Sequence, residues 1–284
     1  MAQFEIKDGV AIIPDGTTNI GYNAFKDCTS LESITIPESV TKIGWEAFSG
    51  CTSLKSITIP DSVTKIEHYA FSGCTSLESI VVADGNPVYD SREGCNAIME
   101  TTTNTLIQGC KTTVIPESVT KIDRSAFEGC TSLKSIIIPD SVTEIGHWAF
   151  KGCTSLKSII IPESVKYIGN YAFFDCTSLK SITIPESVTE IGESAFRGCT
   201  SLESVVIPKG VRKIKERAFG CCTSLTTLTL PIGVNKIEER VFDKCSALAA
   251  INVPAGKAGF YKQRLPEELH DKIVELAPEK KTKK

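Results

Sequence analysis

The chain has few of the residues that most reaction chemistry needs. Its 284 residues include three histidines, two methionines and two tryptophans. His68, His147 and His270 belong to no recognisable catalytic set. G-x-S-x-G, H-E-x-x-H, a phosphate-binding loop and a dinucleotide fingerprint are all missing. These gaps argue against an enzyme and imply no cofactor. No apolar run reaches the ~18 residues of a membrane span, and the opening MAQFEIKDGVAIIPDG puts Glu5, Lys7 and Asp8 where a signal peptide needs an apolar core. A net charge of -3 leaves no surplus of either sign to draw nucleic acid or an anionic membrane. Close cysteine pairs of the C-x2-C kind, which zinc sites require, are also missing. Only Cys221 and Cys222 are neighbours, and no histidine cluster lies near them.

What the chain has in abundance is itself. A dipeptide ending in phenylalanine recurs at Phe25, Phe48, Phe71, Phe127, Phe150, Phe173, Phe196, Phe219 and Phe242, at intervals of 23 residues with a single exception of 56. Self-similarity at such a period predicts a solenoid, in which no unit buries its apolar face alone and each stacks on its neighbours. One elongated domain follows, despite a length that would suit one or two compact ones. The stretch Cys51 to Gly73, CTSLKSITIPDSVTKIEHYAFSG, is one coil. Leu54, Ile57 and Ile59 alternate inward along a short strand that Pro60 closes by withholding an amide. Val63 and Ile66 give a second short extended segment, which in other coils ends in Gly44, Gly146, Gly169 or Gly192. Ala70 and Phe71 follow, in a piece suited to a tight helical or 3-10 turn.

Nine of the 12 cysteines sit three residues after a marker phenylalanine: Cys28, Cys51, Cys74, Cys130, Cys153, Cys176, Cys199, Cys222 and Cys245. One per coil in one phase fits a column of small buried hydrophobes rather than disulfides or metal ligands. Cys95 and Cys110 lie outside the column, where pairing in an oxidising compartment stays open.

The pattern AFxxCTSLxSIxIPxSVTxIGxx resembles the BspA-type (Treponema pallidum type) leucine-rich repeat over about residues 5 to 254. The resemblance implies a right-handed coil of short parallel strands. It also implies a bacterial surface protein that attaches to host proteins or other cells. An intracellular interaction scaffold is the alternative, favoured by the missing signal peptide and the reduced-looking cysteines. Where commoner leucine-rich repeats place an asparagine, this chain has Ser39, Ser62, Ser118, Ser141, Ser164 and Ser187, then Gly210 and Gly233, so hydroxyls and backbone must hold that turn.

Along the one elongated domain the repeats are expected over 1–254, followed by a helical cap and a Lys-rich tail over 255–284. The long interval holds a variant unit at about 84–115, read as a hairpin around TTTNT, and the variant units that recur in BspA-like proteins favour that reading over a partner site. After Pro266, Glu267 and Glu268 start a helix with Leu269, Ile273 and Leu276 on one face, and Lys280, Lys281, Lys283 and Lys284 form a solvated tail.

In such a coil, equivalent residues stand about 5 Å apart in ladders. The outward strand positions form a flat, uncharged Ser and Thr or aliphatic face. An acidic column, Glu38, Asp61, Glu117, Asp140, Glu163 and Glu186, needs no metal, since carboxylates 5 Å apart in water repel by only ~0.8 kcal/mol. The ladder before the marker phenylalanines is the candidate protein-binding site. One column reads Tyr22, Trp45, His68; its neighbour reads Tyr69, Ser125, Trp148, Tyr171, with His147 alongside. Trp and Tyr contribute much of the energy at protein interfaces, although rings that merely stack to stabilise the coil would look the same in sequence. The expected partner is a protein, with no nucleic acid and no membrane insertion, and the chain is expected to be a monomer.

Overall fold

In the computed structural model, which describes residues 4–277, the 23-residue period becomes the strand register. Ser158–Ile160 pairs in parallel with Ser181–Thr183, each residue facing the one 23 positions on, and Ser56–Ile59 faces Ser79–Val82 in the same way. A second side is built from two-residue strands. Glu144–Ile145, Tyr167–Ile168, Glu190–Ile191, Lys213–Ile214 and Lys236–Ile237 lie side by side in a nine-stranded sheet. Parallel neighbours one coil apart are what a chain must form when each coil satisfies its amides only on the next.

The third side is a run of turns rather than a continuous helix. Within a coil, Ala47 N–H donates to Gly44 O at 3.2 Å and Ser49 N–H to Glu46 O at 3.1 Å; between them, Phe48 N–H leaves the coil for Ala70 O at 2.7 Å. Two residues per coil take positive φ, as at Trp148 (+55°) and Gly152 (+72°). That geometry stops a helix, and it explains why Gly, or Asp as at Asp27 and Asp175, recurs before the cysteine. At the corner after the prolines, four of the serine hydroxyls bond to the preceding coil, those of Ser39, Ser62, Ser164 and Ser187: Ser62 Oγ–H donates to Val40 O at 2.8 Å and Ser164 Oγ–H to Val142 O at 2.6 Å, while Ser141 Oγ has no partner.

Side chains stack in the same register inside. Phe127, Phe150, Phe173 and Phe196 lie face to face with centroids 5.0–5.3 Å apart. The cysteines do more than fill space. Phe150 O takes the Cys153 amide at 3.1 Å and also the Cys176 thiol of the next coil at 3.2 Å, and the same thiol bond recurs at Cys51, Cys74, Cys153, Cys199, Cys222 and Cys245. All 12 cysteines are free thiols, Cys95 and Cys110 included, and both of those are buried. Burial pushes the Cys51 and Cys130 thiols up to about 12 and Cys245 up to about 11. In a native thiol titration at pH 8, Cys221 and Cys28, the two half-exposed ones, should react first, and the rest should wait for unfolding. Rapid native modification of most of the column would contradict this packing.

The variant unit interrupts the stack. Ile98–Glu100 and Thr105–Gln108 pair antiparallel, and Tyr89–Asp90 adds to the first of them. Gly109 stands where other coils have their phenylalanine: its N–H donates to Ala126 O at 2.8 Å, as Phe48 does to Ala70, and a Cβ there would lie 2.3 Å from the Phe127 ring. The ring column therefore breaks between Phe71 and Phe127. The buried core falls into two blocks, one ending near Tyr89 and Cys110, the other running from Cys95 to Leu265.

Both ends are closed. Ile6–Lys7 folds back on Val10–Ile12, and Phe4 stacks on Phe25 at 5.5 Å. At the other end the single helix expected from Pro266 is replaced. A helix spans Ala258–Lys262, a 3-10 segment spans Glu267–Lys272, and Ile273–Glu275 is a strand parallel to Ala250–Val253. The reason is the open strand edge of the last coil, whose unpaired amides favour the β-branched Ile273 and Val274 as a strand. Tyr261 is fully buried and its hydroxyl donates to Pro231 O, anchoring the cap. The four lysines of the tail lie outside the described residues.

Candidate functional site

Each ring of the ladder is held by the left-handed turn beside it. Tyr69, Ser125, Trp148, Tyr171 and Ser194 all have φ between +50° and +61°, so one column of side chains leaves the coil in one direction. The residues before them form the second column, and there the side chains replace missing backbone partners. His147 Nδ1 accepts Asn170 N–H at 2.9 Å, and Asn170 Oδ1 accepts Glu193 N–H at 3.0 Å.

The structure brings the two aromatic columns into one strip. Trp45 touches His68 at 6.0 Å and Tyr69 at 5.0 Å between centroids. Ser125 provides no ring, and Tyr69 reaches across it to Trp148 at 5.9 Å. Trp148 stacks on Tyr171 at 5.6 Å with 13° between planes, and His147 lies 5.9 Å from Trp148. Trp45 is 38% exposed, and Tyr69, His147, Trp148 and Tyr171 are half-buried. Tyr22 stands apart, 70% exposed. The Tyr171 hydroxyl donates to Glu193.

Three further members escape a reading by column. Arg124 lies over Trp148 at 5.2 Å and Tyr69 at 6.0 Å, filling the place above Ser125. Phe174, directly after marker Phe173, meets Tyr171 at 5.8 Å and carries Arg197 at 5.4 Å. Tyr167 meets His147 edge-on at 6.0 Å. Arg124 shares the phase of His147, and that shared phase was the available signal; an arginine in register with rings on both sides is placed for cation–π contact.

Burial, together with Arg124 and Lys215, holds His147 below its ordinary imidazole value. Its acceptor role needs the neutral form. The stabilising contribution is therefore full above the unfolded value near 6.5 and is lost as pH falls through that value toward the depressed folded one. Between pH 7.5 and 5.5 the melting temperature should fall more for the wild type than for His147→Asn, whose amide oxygen keeps the bond to Asn170. Identical pH profiles would remove His147 from this role.

The exposed acidic column collects no ligand set. Among the described residues, no group of three His, Cys, Asp or Glu is placed to hold a metal ion. Also among them, no helix is long and apolar enough to cross a membrane.

With the coil geometry established, the likenesses to known proteins fall into one class. The BspA type leucine rich repeat region matches in 6 copies, over residues 9–95, 104–219 and 168–263. A leucine rich cell surface protein of Faecalibacterium prausnitzii is 31% identical, with 90% of this chain covered and a TM-score of 0.65; the chain spans 62% of that protein's length. A leucine-rich repeat protein of Bacteroides ovatus is 30% identical over 93% of this chain and 77% of its own, with a TM-score of 0.52. One from Eubacterium ventriosum, 24% identical over 84% of this chain and 77% of its own, shares the fold with a TM-score of 0.66. No curated protein matches.

Proposed function

Because the chain belongs to the BspA-type leucine rich repeat family, we propose that it is a non-catalytic scaffold that binds another protein through the strip from Trp45 to Tyr171. The observation that supports this most is the strip itself, five half-exposed rings (Trp45, Tyr69, His147, Trp148, Tyr171) and Arg124 held in mutual contact on a rigid stack. Trp, Tyr and Arg are the residues that dominate interface energies. Rings already fixed by 5–6 Å contacts lose little freedom when a partner covers them, which removes part of the cost of binding. Leucine-rich repeat scaffolds are typically non-catalytic, in keeping with the scarcity of catalytic groups. The likeness to the Faecalibacterium cell surface protein supports a place at the cell surface, and adhesion is the role proposed for the strip there.

The test is capture. Immobilised wild type should retain a protein from host matrix or from the producing cell's lysate, and Trp148→Ser/Tyr171→Ser should lose that protein. Equal retention by both would move the site elsewhere on the coil.

A further inference from the structure

The variant unit opens a wedge in the stack. At one corner the flanking coils meet as ordinary neighbours: Gly73 N–H donates to Glu128 O at 3.1 Å, as Gly50 N–H does to Ser72 O at 2.8 Å. At the other edge the hairpin stands between them. Leu106 O takes Asp123 N–H at 2.9 Å, and the Tyr89 hydroxyl takes Ile66 N–H at 3.0 Å. Coils joined at one side and held apart at the other enclose a cleft of about 560 Å³, a volume usual for small-molecule sites.

We propose that this wedge binds a neutral, hydroxyl-rich ligand of the short-oligosaccharide class. Its wall contains an unmet hydrogen-bonding group: Ser125 is 2% exposed, lines the cleft, and its Oγ has no partner. A buried hydroxyl left unpaired is costly, and a ligand hydroxyl within reach relieves it. The other lining groups offer donors and acceptors together. Gln108 is pinned through its amide nitrogen to Gly109 O and Ala126 O, and Thr103 links the Glu100 carboxylate to the Thr105 hydroxyl.

The charges in and around the wedge cancel, with Glu67, Glu100, Asp123 and Glu144 set against Lys121, Arg124 and, beside Glu67, Lys42 and Lys65. Lys121 lies 3.2 Å from Glu144 and 3.7 Å from Asp123, and Glu67 is held down at about 2 by Lys65 and Lys42. A cation entering the wedge would meet Lys121 and Arg124. An anion would meet Glu67, Glu100, Asp123 and Glu144. A polyol meets neither penalty, because carboxylates accept from its hydroxyls while the lysine, guanidinium and threonine groups donate to them. Among these carboxylates, Glu100 has a hydroxyl rather than a cation for its partner and is the acceptor best placed to bind sugar.

This proposal goes beyond the protein-binding strip, with which the wedge shares Tyr69 and Arg124, and Glu100, outside the strip, separates the two. The full chain is applied to an array of neutral, sulfated and sialylated oligosaccharides, and hits are titrated in solution alongside a tri-lysine peptide. Neutral oligosaccharides should bind. Glu100→Gln, at a half-exposed position, should weaken binding at least tenfold while the thermal melt and capture of the protein partner stay as in the wild type; Ser125→Gly, which suits the positive φ there, should weaken it as much with the thermal melt unchanged. Absence of any neutral hit, binding restricted to acidic glycans, preference for tri-lysine, or affinity unchanged in both variants would each overturn the assignment.

Discussion

Phe150→Ala should lower the domain's unfolding free energy by about 3–5 kcal/mol, the range for deleting a buried ring whose surroundings relax only in part. Phe150 is fully buried, with Phe127 5.0 Å away on one face and Phe173 5.3 Å away on the other. Neither neighbour can close the gap without breaking the strand register on the other two sides of its coil. Phe242 offers the contrast. It has a single ring partner, Phe219 at 6.2 Å, and is 7% exposed, so Phe242→Ala should cost clearly less. Sequence alone puts Phe25 in that terminal role, but Phe4 stacks on its outer face and the first coil is closed. Urea unfolding followed by circular dichroism separates the cases. Equal losses at Phe150 and Phe242 would argue against a one-dimensional stack.

Removing both rings in Trp148→Ser/Tyr171→Ser should weaken partner binding by about 2 kcal/mol or more, roughly 30-fold, as expected when two anchors are lost from the centre of an interface. The backbone accepts the change. Ser125 and Ser194 already occupy the same phase with φ of +58° and +50°. Stability should drop modestly, because the Trp148–Tyr171 stack and the Arg124 contact disappear, each worth about 1 kcal/mol. Both effects are read in one preparation: a melting curve first, then a titration at a temperature where the variant is folded. A folded variant with unchanged affinity would assign the rings to coil stacking.

The repeat carried most of the fold because each residue's partner is its own equivalent one coil away. The phenylalanine spacing thus predicts the register, and the cysteine phase predicts burial for every member of its column but Cys28, in the first coil, which is half-exposed. What escaped the reading depends on contacts between unlike positions. The thiols donate to phenylalanine carbonyls of another coil, a bond that composition cannot show. The strand at Ile273–Glu275 forms because an edge stood open, while the local spacing of Leu269, Ile273 and Leu276 spoke for a helix. In the candidate site, the ring positions were legible as columns, but their union was not. Tyr69 reaches Trp148 only because Ser125 between them is small, and Arg124 is recognisable as a member only once rings are seen on both sides of it. The wedge is likewise a property of where the hairpin sits between coils.

The most direct test of the account is a hydrogen-exchange footprint of the partner-bound protein, read against the free chain. The strip predicts protection gathered on the turn side, over residues 44–49, 67–72, 122–128, 145–151 and 168–174. Protection lying instead on the flat strand face around Ile137 and Ile160, which are 86% and 77% exposed and bridged to each other, would contradict it.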